Sequence, residues 1–141
     1  MSLRMVLVAS LIVGGLGLAG YIRLAPHDAG RWHLPLGDTP AQAGLVSEPG
    51  GVRALVAAED PAAALARLAD VIEATSRVTR LAGDLGSGRI TWVIRSAFWG
   101  FPDYLTAEIS PQGVRIWSRL RFGRSDLGVN RARLERWLAE F

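Results

Sequence analysis

Val114-Arg115-Ile116-Trp117-Ser118-Arg119-Leu120-Arg121-Phe122-Gly123-Arg124-Ser125-Asp126-Leu127-Gly128-Val129-Asn130-Arg131 changes period midway. As far as Arg121 it alternates. Val114, Ile116, Ser118 and Leu120 fall on one face of a strand, and Arg115, Trp117, Arg119 and Arg121 on the other. Beyond Asn130 the apolar residues Leu134, Trp137, Leu138 and Phe141 recur at helical spacing and form one stripe. A strand therefore passes into a helix through a turn, with Asn130 as the expected N-cap. Gly123 and Gly128 let that turn bend, and Ser125 and Asp126 offer it hydrogen-bonding groups.

Upstream the same alternation repeats. Ser110-Pro111-Gln112-Gly113 is a tight turn, so the preceding strand, with Leu105, Ala107 and Ile109 opposite Tyr104, Thr106 and Glu108, pairs as a hairpin. Before it come the loop Phe98-Trp99-Gly100-Phe101-Pro102-Asp103 and a strand carrying Ile90, Trp92 and Ile94. An edge strand at 77–82 is joined to it by the glycine-rich turn 83–88. Asp60-Pro61 reads as an N-cap followed by proline at the first helical position, and Leu65, Leu68, Ala69 and Ile72 make the stripe of a helix over about 61–75. Val52, Ala54 and Val56 alternate weakly, as a short strand would. The expected fold is α+β, an antiparallel sheet of about four strands packed against two helices over residues 51–141.

Residues 5–22 are uncharged and almost wholly apolar, bracketed by Arg4 and Arg23, with Tyr21 where an interfacial aromatic belongs. We read residues 1–24 as one transmembrane anchor. The competing reading is a signal peptide cleaved near Gly17-Leu18-Ala19, but the apolar run is long for that and Arg4 is its only N-terminal charge. Arg23 and Arg31 outnumber Arg4, so a positive-inside count alone would leave the following domain in the cytoplasm. Residues 25–50, with Pro26, Pro35, Pro40 and Pro49, form a Pro/Gly-rich linker, either extended or draped on the domain. Its Trp32-His33-Leu34 has two places to go, the domain or the membrane surface.

The chain has no cysteine, which excludes disulfides, thiolate metal sites and cysteine nucleophiles. All 16 basic residues are arginine. Residues 1–76 hold 5 Arg and 7 acids, net −2, whereas residues 77–141 hold 11 Arg and 6 acids, net +5. That imbalance points to an anionic partner.

The segments Arg95-Ser96, Phe98-Trp99-Gly100-Phe101-Pro102-Asp103-Tyr104 and Trp117 through Arg131 resemble the bacterial family called domain of unknown function 1499. The resemblance is strong from about 89 to 141 and looser from 51 to 88. It implies a hydrophobic N-terminus ahead of an exported domain, hence a single-pass inner-membrane protein with its C-terminal domain in the periplasm. It marks Phe101, Pro102, Asp103, Gly123, Ser125, Asp126, Gly128 and Asn130 as motif residues and implies no activity. Many members carry a cysteine-containing segment near the domain start; this chain has none.

The best candidate site is the stripe Arg115, Arg119 and Arg121, continued by Arg124, because guanidinium forks suit phosphate and carboxylate and Trp117 offers stacking. Its ligand would be an anionic lipid, a polymer or a small anion; nucleic acid is not expected for a membrane-tethered exported domain. A solvated strand face, neutralised locally by Asp103, Glu108 and Asp126, would look the same in sequence. Catalysis has little support. The histidines, His27 and His33, lie in the linker, and Ser96, Ser118 and Ser125 have no evident base. No spacing suits a metal, and neither cofactor nor catalytic residue is expected. The alternative is a small hydrolase-like enzyme using Asp103 and Asp126 as acid and base. Two aspartates among arginines are more often ion-pair partners, and Asp126 is expected to hold its turn together by accepting backbone N–H groups, with Arg121, Arg124 or Arg131 as its charged partner.

Overall fold

The computed structural model describes residues 2–37 and 44–141. Its first element, α1 (Leu3–Leu24), has 22 residues and a mean hydropathy of 2.1 over its most apolar window, long and apolar enough to cross a membrane. At helical rise it reaches roughly 33 Å. Ser2 caps it by accepting the Met5 N–H, and of its side chains only Ile22 is buried.

A short helix α2 (Ala29–Trp32) follows, then β1 (Gly44–Glu48), β2 (Gly51–Ala57), α3 (Pro61–Glu73), β3 (Val78–Asp84), β4 (Arg89–Arg95), β5 (Pro102–Ser110), β6 (Gly113–Leu120) and α4 (Val129–Glu140). The strands form one antiparallel sheet in the order β1-β2-β6-β5-β4-β3. The expected α+β architecture holds, with six strands in place of about four and four helices in place of three among the described residues. β2 is the weakly alternating stretch around Val52. β1 escapes a pattern reading because Leu45 and Val46 are its only large apolar residues and Pro49-Gly50 beside it looks like linker. It exists because β2 pairs with it in register, Gly44 opposite Leu55 and Glu48 opposite Gly51. Pro40 of the expected linker lies outside the described residues.

The two faces of the sheet differ. One carries Val52, Ala54, Ile90, Trp92, Leu105, Ala107, Val114 and Ile116, which pack against Leu65, Leu68 and Ile72 of α3 and Leu134 and Trp137 of α4. Each valine, leucine or isoleucine among them, taken out of water, contributes about 1.5–3 kcal/mol to this core. Asp60 caps α3 by accepting from Ala62 and Ala63 N–H at 3.1 and 3.0 Å, with Pro61 where its missing N–H costs nothing. Buried tryptophans keep their N–H groups bonded: Trp92 donates to Glu73 at 2.8 Å and Trp137 to Thr75 at 2.8 Å.

The opposite face is covered by the linker, which takes the draped one of its two expected courses. Residues 26–37 run along β4, β5 and β6 as a strap, from the end of the sheet nearest α1 towards its far end. Trp32 stacks on Tyr104 with ring centroids 3.8 Å apart and planes at 7°. His27 Nδ1 lies 2.7 Å from the Tyr104 hydroxyl, His33 Nδ1 lies 2.9 Å from Thr91 Oγ1, and the Leu36 N–H donates to Glu108 at 2.7 Å. Beneath the strap Thr91, Tyr104 and Thr106 are fully buried.

Candidate functional site

The arginine stripe lies under this strap. Arg115 Nη1 donates to the Gly37 carbonyl at 2.7 Å. Arg121 Nη1 donates to the Pro26 carbonyl at 2.8 Å and to Tyr104 Oη at 2.9 Å. Arg119 donates to the Trp32 carbonyl and, at 2.9 Å, to Thr106 Oγ1; its guanidinium lies over Trp117 at 4.2 Å and Trp32 at 5.4 Å. It is only 6 % exposed. Burial, and then the charge of Arg53, push its pKa down to about 10. Three of the four stripe arginines therefore bind the chain's own backbone. The fourth, Arg124, is exposed.

The turn after β6 is held by Asp126. Its carboxylate accepts the Gly128 N–H at 2.9 Å and the Asn130 N–H at 2.6 Å, at the positive end of α4. These backbone donors outweigh partial burial and hold its pKa below the usual carboxylate value. Gly123 and Gly128 take φ of 87° and 85°, the left-handed conformations that the bend needs. Ser125 Oγ accepts the Leu127 N–H at 3.3 Å. Two expectations are corrected here. Asn130 is not the N-cap: Gly128 holds that position with no capping side chain of its own, and Asp126 supplies the acceptor. No arginine pairs with Asp126 among the described residues; Arg131 goes to Glu135 at 2.9 Å and to Ser47 at 3.1 Å.

Asn130 turns inward and is 1 % exposed. Its Oδ1 accepts from Ser118 at 2.6 Å and from Arg133 at 3.0 Å, and its Nδ2 donates to Asp103 at 3.2 Å. Arg133 reaches the Asp103 carboxylate at 3.6 Å. Burial raises the Asp103 pKa to about 6 against the opposing pull of Arg133 and Asn130. Arg133 is itself shifted down by burial. Both partners move towards neutrality, so desolvation outweighs their attraction. Pro102 begins β5 and is buried, whereas Phe101 closes the 96–101 loop through reciprocal bonds with Ser96, at 2.9 and 3.0 Å. Of the aromatic loop residues only Tyr104 is buried; Phe98 and Trp99 are 77 % and 58 % exposed.

Two clefts bear on function. One, of about 180 Å³, lies between the β1–β2 turn and the Asp126 turn, with Ser47, Glu48, Arg124, Ser125, Asp126 and Arg131 on its walls. Asp103 does not line it, so this cleft does not join the two carboxylates. Glu48 accepts from Arg53 at 3.0 Å and Trp117 at 2.7 Å, so both cleft carboxylates already have internal donors. The other cleft, of about 410 Å³, is where α1 meets the sheet. Among the described residues no three His, Cys, Asp or Glu side chains converge as a metal site would require.

These features define a class: an α+β sheet-and-helix domain clasping the segment that links it to an apolar N-terminal helix. The chain belongs to the family described as protein of unknown function (DUF1499), whose model matches residues 39–141. No curated protein matches it.

Proposed function

We propose that this is a single-pass membrane protein of the bacterial cell envelope, with its domain on the periplasmic side of the inner membrane. It acts there as a non-enzymatic binding module that holds an anionic group at an arginine-rich surface. The observation that carries this reading is how the charged groups are committed. Asp126 and Glu48 are saturated by internal donors, Asp103 is buried beneath α4, and Arg124 stands exposed at the cleft. An arginine in that setting offers forked donors to phosphate or carboxylate. The strap supports the tether: with 26–37 seated on the sheet, little slack separates α1 from the domain, which works close to the bilayer.

The hydrolase alternative keeps one supporting feature, the raised pKa of Asp103. Against it, Asp103 does not line the cleft that holds Asp126, and Asp126 is held by backbone N–H groups at a helix terminus. The test is titration of the full-length protein in detergent micelles with short-chain polyphosphate at low and high salt. Binding should weaken with salt, and Arg124→Gln should weaken it several-fold. Equal binding by Arg124→Gln would overturn the anion site at this cleft.

A further inference from the structure

We infer that the cleft where α1 meets the sheet is a site for the phosphate of an anionic lipid headgroup. This rests on the proposed membrane-spanning role of α1. The cleft, about 410 Å³ and within the usual range for ligand pockets, is lined by Arg23, Arg77, Arg95, Ser96, Ala97 and Gly100. The described residues on its walls thus include three arginines and no carboxylate. Five arginines elsewhere have carboxylate partners: Arg53 with Glu48, Arg80 with Glu73, Arg89 with Glu108, Arg131 with Glu135 and Arg133 with Asp103.

Two of the three are positioned by the fold. Arg23, in the last turn of α1, donates from Nε to the Trp99 carbonyl at 3.0 Å and from Nη2 to the Phe98 carbonyl at 3.3 Å. Arg95 is fixed by the Gly100 carbonyl and by His27, each at 2.9 Å. Carbonyls and an imidazole leave the positive charges uncompensated, and the lowered pKa of His27, caused by burial and then by Arg95 and Arg121, reports the same field. Arg77 takes no side-chain bond among the described residues. It sits at φ 64°, a left-handed conformation that costs a non-glycine residue energy, while its carbonyl accepts the Arg95 N–H at 2.9 Å.

The surroundings supply the lipid side of the argument. Phe98 and Trp99 stand exposed on the loop that Arg23 grips, and Tyr21 of α1 meets Phe122 edge-on at 6.4 Å. Aromatic residues beside the end of a hydrophobic helix are where interfacial anchors occur. Phosphates lie at that same depth, within reach of arginines whose stems pack on apolar surface. The loop would sit among the headgroups while the three arginines close on one phosphate.

The experiment uses the full chain in nanodiscs of phosphatidylcholine mixed with phosphatidylglycerol, followed by native mass spectrometry of the lipids each molecule retains. Wild type should hold phosphatidylglycerol in preference to phosphatidylcholine. Arg77→Gly, which relieves the left-handed strain, should lower that preference about tenfold, as should Arg23→Gln. Arg136→Gln, at an exposed position on α4, should leave it unchanged. Equal retention of the two lipids, or an Arg77→Gly protein that behaves as wild type, overturns the site. Displacement of the lipid by inorganic phosphate would overturn the assignment to a lipid headgroup. Carbonate extraction separates the two levels: release from membranes sinks the spanning role of α1, whereas retention without lipid preference sinks this site alone.

Discussion

Asp103 and Asp126 lie on either side of Asn130, yet their environments push them in opposite directions. Asp126 meets two backbone N–H groups and stays ionised. Asp103 meets one amide and a more distant guanidinium in a buried site, and burial raises its pKa to about 6. The sign of the consequence follows from linkage. A carboxyl whose folded pKa exceeds its unfolded value, about 3.9, binds its proton more tightly in the folded state. Its contribution is fully present below that lower value and is lost as pH rises through about 6. Acidifying from about pH 8 to about pH 5 should therefore add about 1.4 kcal/mol through this group, roughly half of its full effect. Asp103→Asn should flatten that part of the slope when thermal melting is followed across pH. An unchanged slope would show that the buried cluster does not titrate in this window.

Among the elements, the strap departs furthest from what its composition suggests. Prolines at 26 and 35 prevent a long helix, and the segment instead places His27, Trp32 and His33 on the sheet. Trp32 covers Tyr104 and supplies its carbonyl to Arg119. Trp32→Ala should lower stability by about 2–3 kcal/mol, from lost apolar contact and the stacked pair, as read by chemical denaturation of full-length protein in micelles. A smaller effect than the Trp99→Ala control, whose side chain is mostly exposed, would mean the strap is only loosely seated. Acid should act here in the direction opposite to Asp103. Burial and the nearby arginines depress the pKa values of His27 and His33. A depressed histidine holds its contact while neutral, so strap stability falls as pH drops below the ordinary histidine value, about 6.5.

For the whole molecule, the sheet needs cover on both faces. The pair α3 and α4 covers one, and the strap, with β1 at the edge, completes the other. A fragment beginning at Gly51 keeps the core but uncovers Tyr104, Thr106 and Arg119 and leaves β2 as a bare edge. It should bind hydrophobic dye and aggregate, whereas a fragment beginning at Ala25 should give a sharp melting transition. A compact, cooperative 51–141 fragment would show that the strap is an accessory to the fold. The alternating strands, the turn at Pro111-Gln112, the capped helix at Asp60-Pro61, the apolar N-terminus and the Asp126 turn were all legible in the chain. Each rests on residues a few positions apart, where periodicity and turn chemistry act. Whatever lay on the arginine face was not legible. An alternating Arg/Trp strand face looks the same whether water or another segment covers it, and the covering bonds join residues 78 and 95 positions apart. The inward turn of Asn130 was hidden similarly, since Ser118, Asp103 and Arg133 meet only when β5, β6 and α4 pack. Local hydrophobic patterning therefore determined the apolar N-terminal helix, α3, α4 and the strands from β2 onward, but not β1 or α2. Tertiary structure alone decided which arginines are occupied, because occupancy depends on which carbonyls and carboxylates folding brings within hydrogen-bond reach.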